Sequence, residues 1–204
     1  MYEMFDTLER QARSLGVDLF GVADMASAHA LIAGTGGDYL TRFPRAIALG
    51  KRLSSTVVEQ LPRARGGRQH LSIFYTYRAH AELVVETMKR AALELTSTIE
   101  DAGYQAYPIY TGSVSAEERV SPVPMKLAAH LSGLGWIGKN GLLVTPQYGP
   151  RVRLGTVLTD MPLVAGAPQA KQCGNCRACL SACPAQALLG VGPHEYPESR
   201  EQAL

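Results

Sequence analysis

Residues 142–159, LLVTPQYGPRVRLGTVLT, decide the fold class. Leu142–Val144 and Val152–Thr159 are apolar, β-branched runs that read as strands, and the PQYGP between them supplies Pro and Gly, both turn formers. Strands at hairpin spacing pair antiparallel, because a parallel crossover needs a dozen or more residues. Helix-type and strand-type segments are mixed upstream. The expectation is therefore an α+β fold, a mixed or antiparallel sheet with flanking helices, and not a doubly wound parallel sheet.

Toward the N-terminus, Lys126–Ser132 is predicted as a short helix, Ser113–Pro124 as a polar loop and Tyr104–Tyr110 as a strand. A long helix is predicted over roughly residues 76–102, with Leu83, Met88, Ala91, Leu95 and Ile99 as its apolar face and Gly103 as its stop. Pro62–Gln69 and Gly34–Asp38 read as loops on either side of a strand that begins at Arg45. Residues 2–15 read as a helix with Phe5, Leu8, Ala12 and Leu15 on one stripe, followed by a Gly16 C-cap and a strand from Asp18.

Toward the C-terminus the composition changes near residue 164. VAGAPQAKQ reads as a linker, which sets expected domains at 1–164 and 165–204. All four cysteines of the 204 residues follow it, as Cys173, Cys176, Cys179 and Cys183-Pro184, in the pattern C-x2-C-x2-C-x3-C-P. A disulfide framework would scatter cysteines to close loops, whereas this density reads as metal ligation. A cubane 4Fe-4S cluster needs several thiolates on one small core. Two-residue spacers let a tight loop aim successive sulfurs inward while backbone N–H groups soften the negative charge. Gly174 relieves crowding where the chain wraps closely, and Cys-Pro is suited to start a helix continued by AQALL.

Rival readings fit this spacing less well. Tetrahedral zinc usually takes two separated C-x2-C pairs or one pair with distant histidines, and His194 is the only histidine nearby. A thioredoxin-type pair would leave two cysteines unexplained. In two-cluster ferredoxins the fourth cysteine of such a run ligates the other cluster, yet no cysteine occurs in the 21 residues after Cys183. A second run beyond Leu204, one cluster with unusual ligands, and three-iron occupancy all stay open.

Gly133-Leu-Gly135-Trp-Ile-Gly138 matches the dinucleotide pattern G-x-G-x-x-G, with Asp160 downstream. That fingerprint requires strand, glycines, then helix. Here the predicted helix precedes the glycines and a strand follows. Two readings remain: a helix-capping turn, or a cofactor-facing loop in which Trp136 offers a flat surface and Lys139 and Asn140 offer donors.

Composition narrows the classes further. Apolar residues make up 46% and charged residues 19%, ordinary for a globular chain, and a net charge of +2 gives no electrostatic reason to invoke nucleic acid. No apolar run reaches the ~18 residues that cross a bilayer, and the N-terminus lacks a secretory pattern. The expected compartment is the cytoplasm, with no membrane partner.

The stretch from Pro122 to Leu188, carrying GLGWIGKNGLL, GPRVRLGTVLTDMPL and CGNCRACLSACPAQAL in that order, resembles the epoxyqueuosine reductase family, with reductive dehalogenases as more distant relatives. The resemblance implies a cobalamin-binding domain similar to flavin nitroreductases, followed by a ferredoxin-like module with 4Fe-4S clusters. It implies electrons passing from an external donor, such as ferredoxin or flavodoxin, through a cluster to a corrinoid or similar cofactor, and in the family the reduction of a modified tRNA nucleoside. On it, Trp136, Gly138, Lys139 and Asn140 lie near the corrinoid, and Cys173, Cys176, Cys179 and Cys183 are cluster ligands. The family's acidic proton donor falls on Arg119, which stays charged at neutral pH, with Glu117 and Glu118 beside it. With no second cysteine run either, a shorter paralogue of unassigned substrate fits better, with tRNA a partner by analogy alone.

Other side chains read as structural. His80 and His130 fall on predicted helices, His70 lacks ligand spacing, and Tyr75, Tyr77, Tyr104, Tyr107 and Tyr110 read as packing. Arg63, Arg65 and Arg68 form a solvated basic loop. Three functions compete: a cluster-dependent reductase, a non-catalytic iron–sulfur electron-transfer or accessory protein, and a zinc-stabilised binding module.

Overall fold

The computed structural model describes residues 2–63, 68–110, 121–183, 185, 186 and 188. In chain order these form α1 (Tyr2–Ser14), β1 (Leu19–Asp24), α2 (His29–Gly36), β2 (Arg45–Arg52), α3 (Ser55–Glu59) and α4 (Arg68–Asp101). They continue with β3 (Ala106–Ile109), α5 (Met125–Leu131), β4 (Trp136–Ile137), β5 (Leu143–Val144), β6 (Val152–Thr159) and α6 (Ala178–Ala182). A four-stranded sheet has the order β1-β2-β6-β3, and β4 and β5 form a separate two-stranded ribbon. Every strand pair among the described residues is antiparallel. The α+β class therefore holds, in the antiparallel form.

Helices cover both faces of the large sheet. On one face α1 and α4 pack Leu8, Ala12, Met88, Ala91, Leu95 and Ile99 against Phe20, Val22, Ile47, Leu49 and Val157. On the other, α2 and α5 bring Ile32 and Ala128 against Ala23, Ala46 and Leu158. A strand buried on both faces loses the alternation of apolar and polar residues. This is why β1 and the middle of β2 read as continuous apolar runs. Burial of this apolar surface, at ~25 cal/mol per Å², is the main force holding the three layers together.

The predicted pairing of residues 142–144 with 152–159 is not what forms. PQYGP does reverse the chain, through reciprocal hydrogen bonds between Thr145 and Gly149, but β5 pairs with β4. β6 instead enters the large sheet between β2 and β3. Its Val157 and Leu158 face opposite cores, so a central position buries both. Two other expectations change. Gly34–Gly36 belong to α2, not a loop, because Ile32 is anchored in the core and holds the helix despite its glycines. α4 begins at Arg68, not near 76, and Leu83 is 69% exposed. The buried stripe is Val84, Met88, Ala91, Leu95 and Ile99, which keeps i+3 and i+4 steps throughout.

The edge of β1 is not left bare. Gly166 N–H donates to the Val22 carbonyl at 2.8 Å, and Arg45 Nε donates to the Leu163 carbonyl at 3.0 Å while pairing with Asp24. The stretch read as a linker thus begins by closing a sheet edge that would otherwise expose unpaired amides.

Candidate functional site

α5, the glycine turn and the β4–β5 ribbon form a platform beside this edge. α5 ends at Leu131, and Gly133, at φ 83, donates to the His130 carbonyl. Helix, glycines, strand is thus the order realised, opposite to a dinucleotide site. The glycines are used for internal packing. A Cβ on Gly135 would lie 2.2 Å from the Val144 carbonyl oxygen, and one on Gly133 would lie 2.7 Å from that of Ala167. The close-reversal reading of the motif accounts for both positions.

The four residues expected to face a cofactor have distinct situations. Trp136 is only 9% exposed, and its buried indole Nε1 has no hydrogen-bond partner among the described residues. Gly138 is buried in the ribbon and donates to the Leu142 carbonyl. Asn140 Oδ1 accepts from the Leu142 N–H at 3.1 Å, a local turn bond. Lys139 Nζ donates to the Gly174 carbonyl at 2.6 Å and to the Cys176 carbonyl at 3.0 Å. The glycine motif and the cysteine run, 35 residues apart in sequence, are therefore joined by one side chain.

The cysteine loop folds as a tight turn. Cys176 N–H donates to the Cys173 carbonyl at 2.9 Å, with Gly174 at φ 45, and α6 carries Cys179. The helix described here precedes Cys183. Gln186 has φ 50, which interrupts the helix expected after Cys-Pro, and Pro184 and Ala187 lie outside the described residues. Cys173, Cys176 and Cys179 are thiols, Cys176 exposed and the other two half-buried. Among the described residues no three His, Cys, Asp or Glu side chains are grouped closely enough to hold an ion. The donor set nonetheless suits an iron–sulfur cluster in type and spacing. The Asn175 and Arg177 amides have no hydrogen-bond partner among the described residues, and Lys139 and Arg177 place positive charge at the loop.

Two contacts were not legible in the sequence. Lys126 Nζ, on α5, donates to the Gly141 carbonyl at 2.6 Å, and burial pushes its pKa down. Gln169 Nε2 donates to the Gly133 carbonyl at 2.6 Å. Neither residue belongs to a spacing pattern, so no sequence signal marks them. His130, expected as structural, is buried with Nδ1 2.9 Å from the Gly135 carbonyl oxygen; burial lowers its pKa. His80 Nε2 accepts from the Ser54 N–H at 2.9 Å. Tyr77 meets Arg153, while Tyr75 is exposed on α4. Arg63 donates to Gln60. Arg65, Glu117, Glu118, Arg119 and His194 lie outside the described residues.

No family profile matches the chain. Several curated epoxyqueuosine reductases do. That of Gloeobacter violaceus is 52% identical over 68 residues, covering 33% of this chain and 21% of that protein. That of Pseudomonas aeruginosa is 32% identical over 134 residues, covering 65% and 34%. That of Aliivibrio fischeri is 29% identical over 149 residues, covering 69% and 38%. The chain thus spans less than two fifths of these relatives. Among solved structures, the epoxyqueuosine reductase of Streptococcus thermophilus superposes with a TM-score of 0.56 at 18% identity, over 90% of this chain and 53% of that one. A catabolic reductive dehalogenase superposes with a TM-score of 0.68 at 18% identity, over 89% and 25%. An epoxyqueuosine reductase solved with a tRNA-Tyr stem loop gives 0.58 at 21% identity, over 94% and 54%. At these identities the structural likeness establishes the fold.

Proposed function

This chain belongs to the epoxyqueuosine reductase-like family, and on that premise we propose that it is an iron–sulfur oxidoreductase working beside a corrinoid or similar organic cofactor. The observation that carries the reading is the Lys139 bridge, which puts the ribbon of the larger domain against the cysteine loop. Cys173, Cys176, Cys179 and Cys183 would hold a 4Fe-4S cluster in a module spanning 165–204, with 1–164 as the cofactor and substrate domain. Such groups, when bound, supply one-electron transfer between a donor and a substrate.

The chain's own residues have separate parts in this. Trp136 is the ribbon side chain with an uncommitted hydrogen-bond donor, so it is the one to fix an organic cofactor; Gly138 and Asn140 shape the turn beside it. Lys139 holds the cysteine loop in register. An external low-potential donor, such as a ferredoxin or flavodoxin, would supply the electrons. A modified tRNA nucleoside enters as a substrate by analogy with the neighbour solved with a tRNA stem loop.

The test is anaerobic purification and reconstitution of the full chain, followed by iron, acid-labile sulfide, zinc and cobalt assays with added cobalamin. Iron and sulfide in near-equal amounts together with bound cobalt are expected. Iron and sulfide without corrinoid binding would remove cobalamin from the reading, and zinc without sulfide would remove the cluster.

A further inference from the structure

Three of the contacts that pin the 165–176 segment differ in chemistry. Gly166 to Val22 and Gln169 to Gly133 are neutral hydrogen bonds. Lys139 to the Gly174 and Cys176 carbonyls brings a full positive charge to the loop. Lys139 is itself well placed for that. It sits in the ribbon turn between Gly138 and Gly141, whose carbonyls and amides close the turn, and Lys126 ties that turn down to α5 through the Gly141 carbonyl.

The peptide geometry gives the bond a second consequence. A trans peptide is planar, with its C=O and N–H pointing in opposite directions. No cis bond occurs among the described residues. Fixing the Gly174 carbonyl on Nζ therefore turns the Asn175 N–H away from it, and fixing the Cys176 carbonyl does the same for the Arg177 N–H. Both amides lack a partner among the described residues, as do those of Cys173 and Gly174. The intervening amide, that of Cys176, is spent on the Cys173 carbonyl. A single ammonium thus orients two free N–H donors in a loop of thiols and adds a positive charge of its own.

We propose that Lys139 is a positioning residue for the cysteine-bound cluster, acting from the larger domain to raise its reduction potential by orienting the Asn175 and Arg177 amides and by its charge. The inference rests on the cluster reading given above. Reduction adds negative charge to the cluster, and hydrogen bonds and positive charge near the sulfurs favour the reduced form.

The experiment reconstitutes wild type, Lys139→Met and Lys139→Arg as full chains. It reads iron and sulfide per chain, helix content by circular dichroism, and the cluster midpoint by EPR-monitored redox titration. In Lys139→Met the reduction equilibrium is expected to fall about tenfold, ~59 mV for one electron, with helix content unchanged. Lys139→Arg should stay close to wild type. A folded Met variant that loads no cluster while the Arg variant loads normally would make Lys139 a residue that holds the loop for assembly, and would overturn the proposal. Failure of both folded variants to load would assign Lys139 a purely structural role and overturn the proposal. So would a loaded Met variant with the wild-type midpoint, leaving the cluster reading intact. Wild type that takes up no iron and sulfide would overturn the cluster reading, and the proposal with it.

Discussion

Gln169 Nε2 donates to the Gly133 carbonyl at 2.6 Å, and so ties the segment before the cysteines to the turn after α5. Gly133 meets the same segment on its other side, where a Cβ would strike the Ala167 carbonyl. One neutral, part-buried hydrogen bond contributes about 1 kcal/mol. Gln169→Ala should therefore lower global stability by no more than about that amount, yet free the segment locally. Trypsin cleavage after Lys171 is expected to quicken several-fold under native conditions, measured by mass spectrometry. Cleavage at the wild-type rate would mean that the other contacts hold the segment alone.

Gly135 is a position where the close approach of two backbones, not turn geometry, demands glycine. A Cβ there would lie 2.2 Å from the Val144 carbonyl oxygen and 3.1 Å from the Thr145 Cα. Both atoms are backbone, so no rotamer change relieves the clash. Gly135→Ala must push β5 away from β4, an overpacking cost of about 1–3 kcal/mol. Urea unfolding should show the loss, and a nucleotide-binding assay should show no signal before or after the substitution.

Much of this was legible because local chemistry and packing agree. The amphipathic stripe of α1, the Gly16 and Gly103 stops and the antiparallel α+β class follow from periodicity and turn residues. The pairing of β6 was not legible. Strand partners are chosen by burial of both faces, and proximity in sequence only sets the first option. Leu83 and Val84 differ by one residue, or 100° around the helix, and only the sheet that α4 packs on decides which is buried. At the candidate site, the residue types Cys173, Cys176 and Lys139 were legible from their motifs, but the Lys139 bridge was not. It joins two motifs through backbone carbonyls, which leave no trace in side-chain identity.

The α4 assignment makes a contrast that can be measured. Leu95 is fully buried between α4 and the sheet, whereas Leu83 is 69% exposed. Leu95→Ala should cost about 2–5 kcal/mol, through lost transfer energy and a residual cavity. Leu83→Ser should stay within about 0.5 kcal/mol. Equal losses by chemical denaturation would contradict the rotation of the helix described above.

His130 makes stability depend on pH. The residue is 4% exposed, with Nδ1 2.9 Å from the Gly135 carbonyl oxygen. Burial lowers its pKa below the ordinary value of 6.5, the Gly135 hydrogen bond opposes the shift, and the nearby Lys171 charge adds to it. The folded chain thus prefers the neutral ring, while the unfolded chain takes up a proton near its ordinary value. Below about pH 6.5 the unfolded state binds more protons, so this contribution is intact above that pH and is lost as pH falls through the lower folded value. One site can change stability by no more than about 1.4 kcal/mol per pH unit. Thermal unfolding of wild type should show the melting temperature falling between pH 6.5 and 5. His130→Asn, whose Nδ2 takes the place of Nδ1 as a donor for the Gly135 carbonyl but does not titrate, should flatten that slope while lowering stability at neutral pH. An unchanged slope in the variant would assign the acid sensitivity to the carboxylates instead.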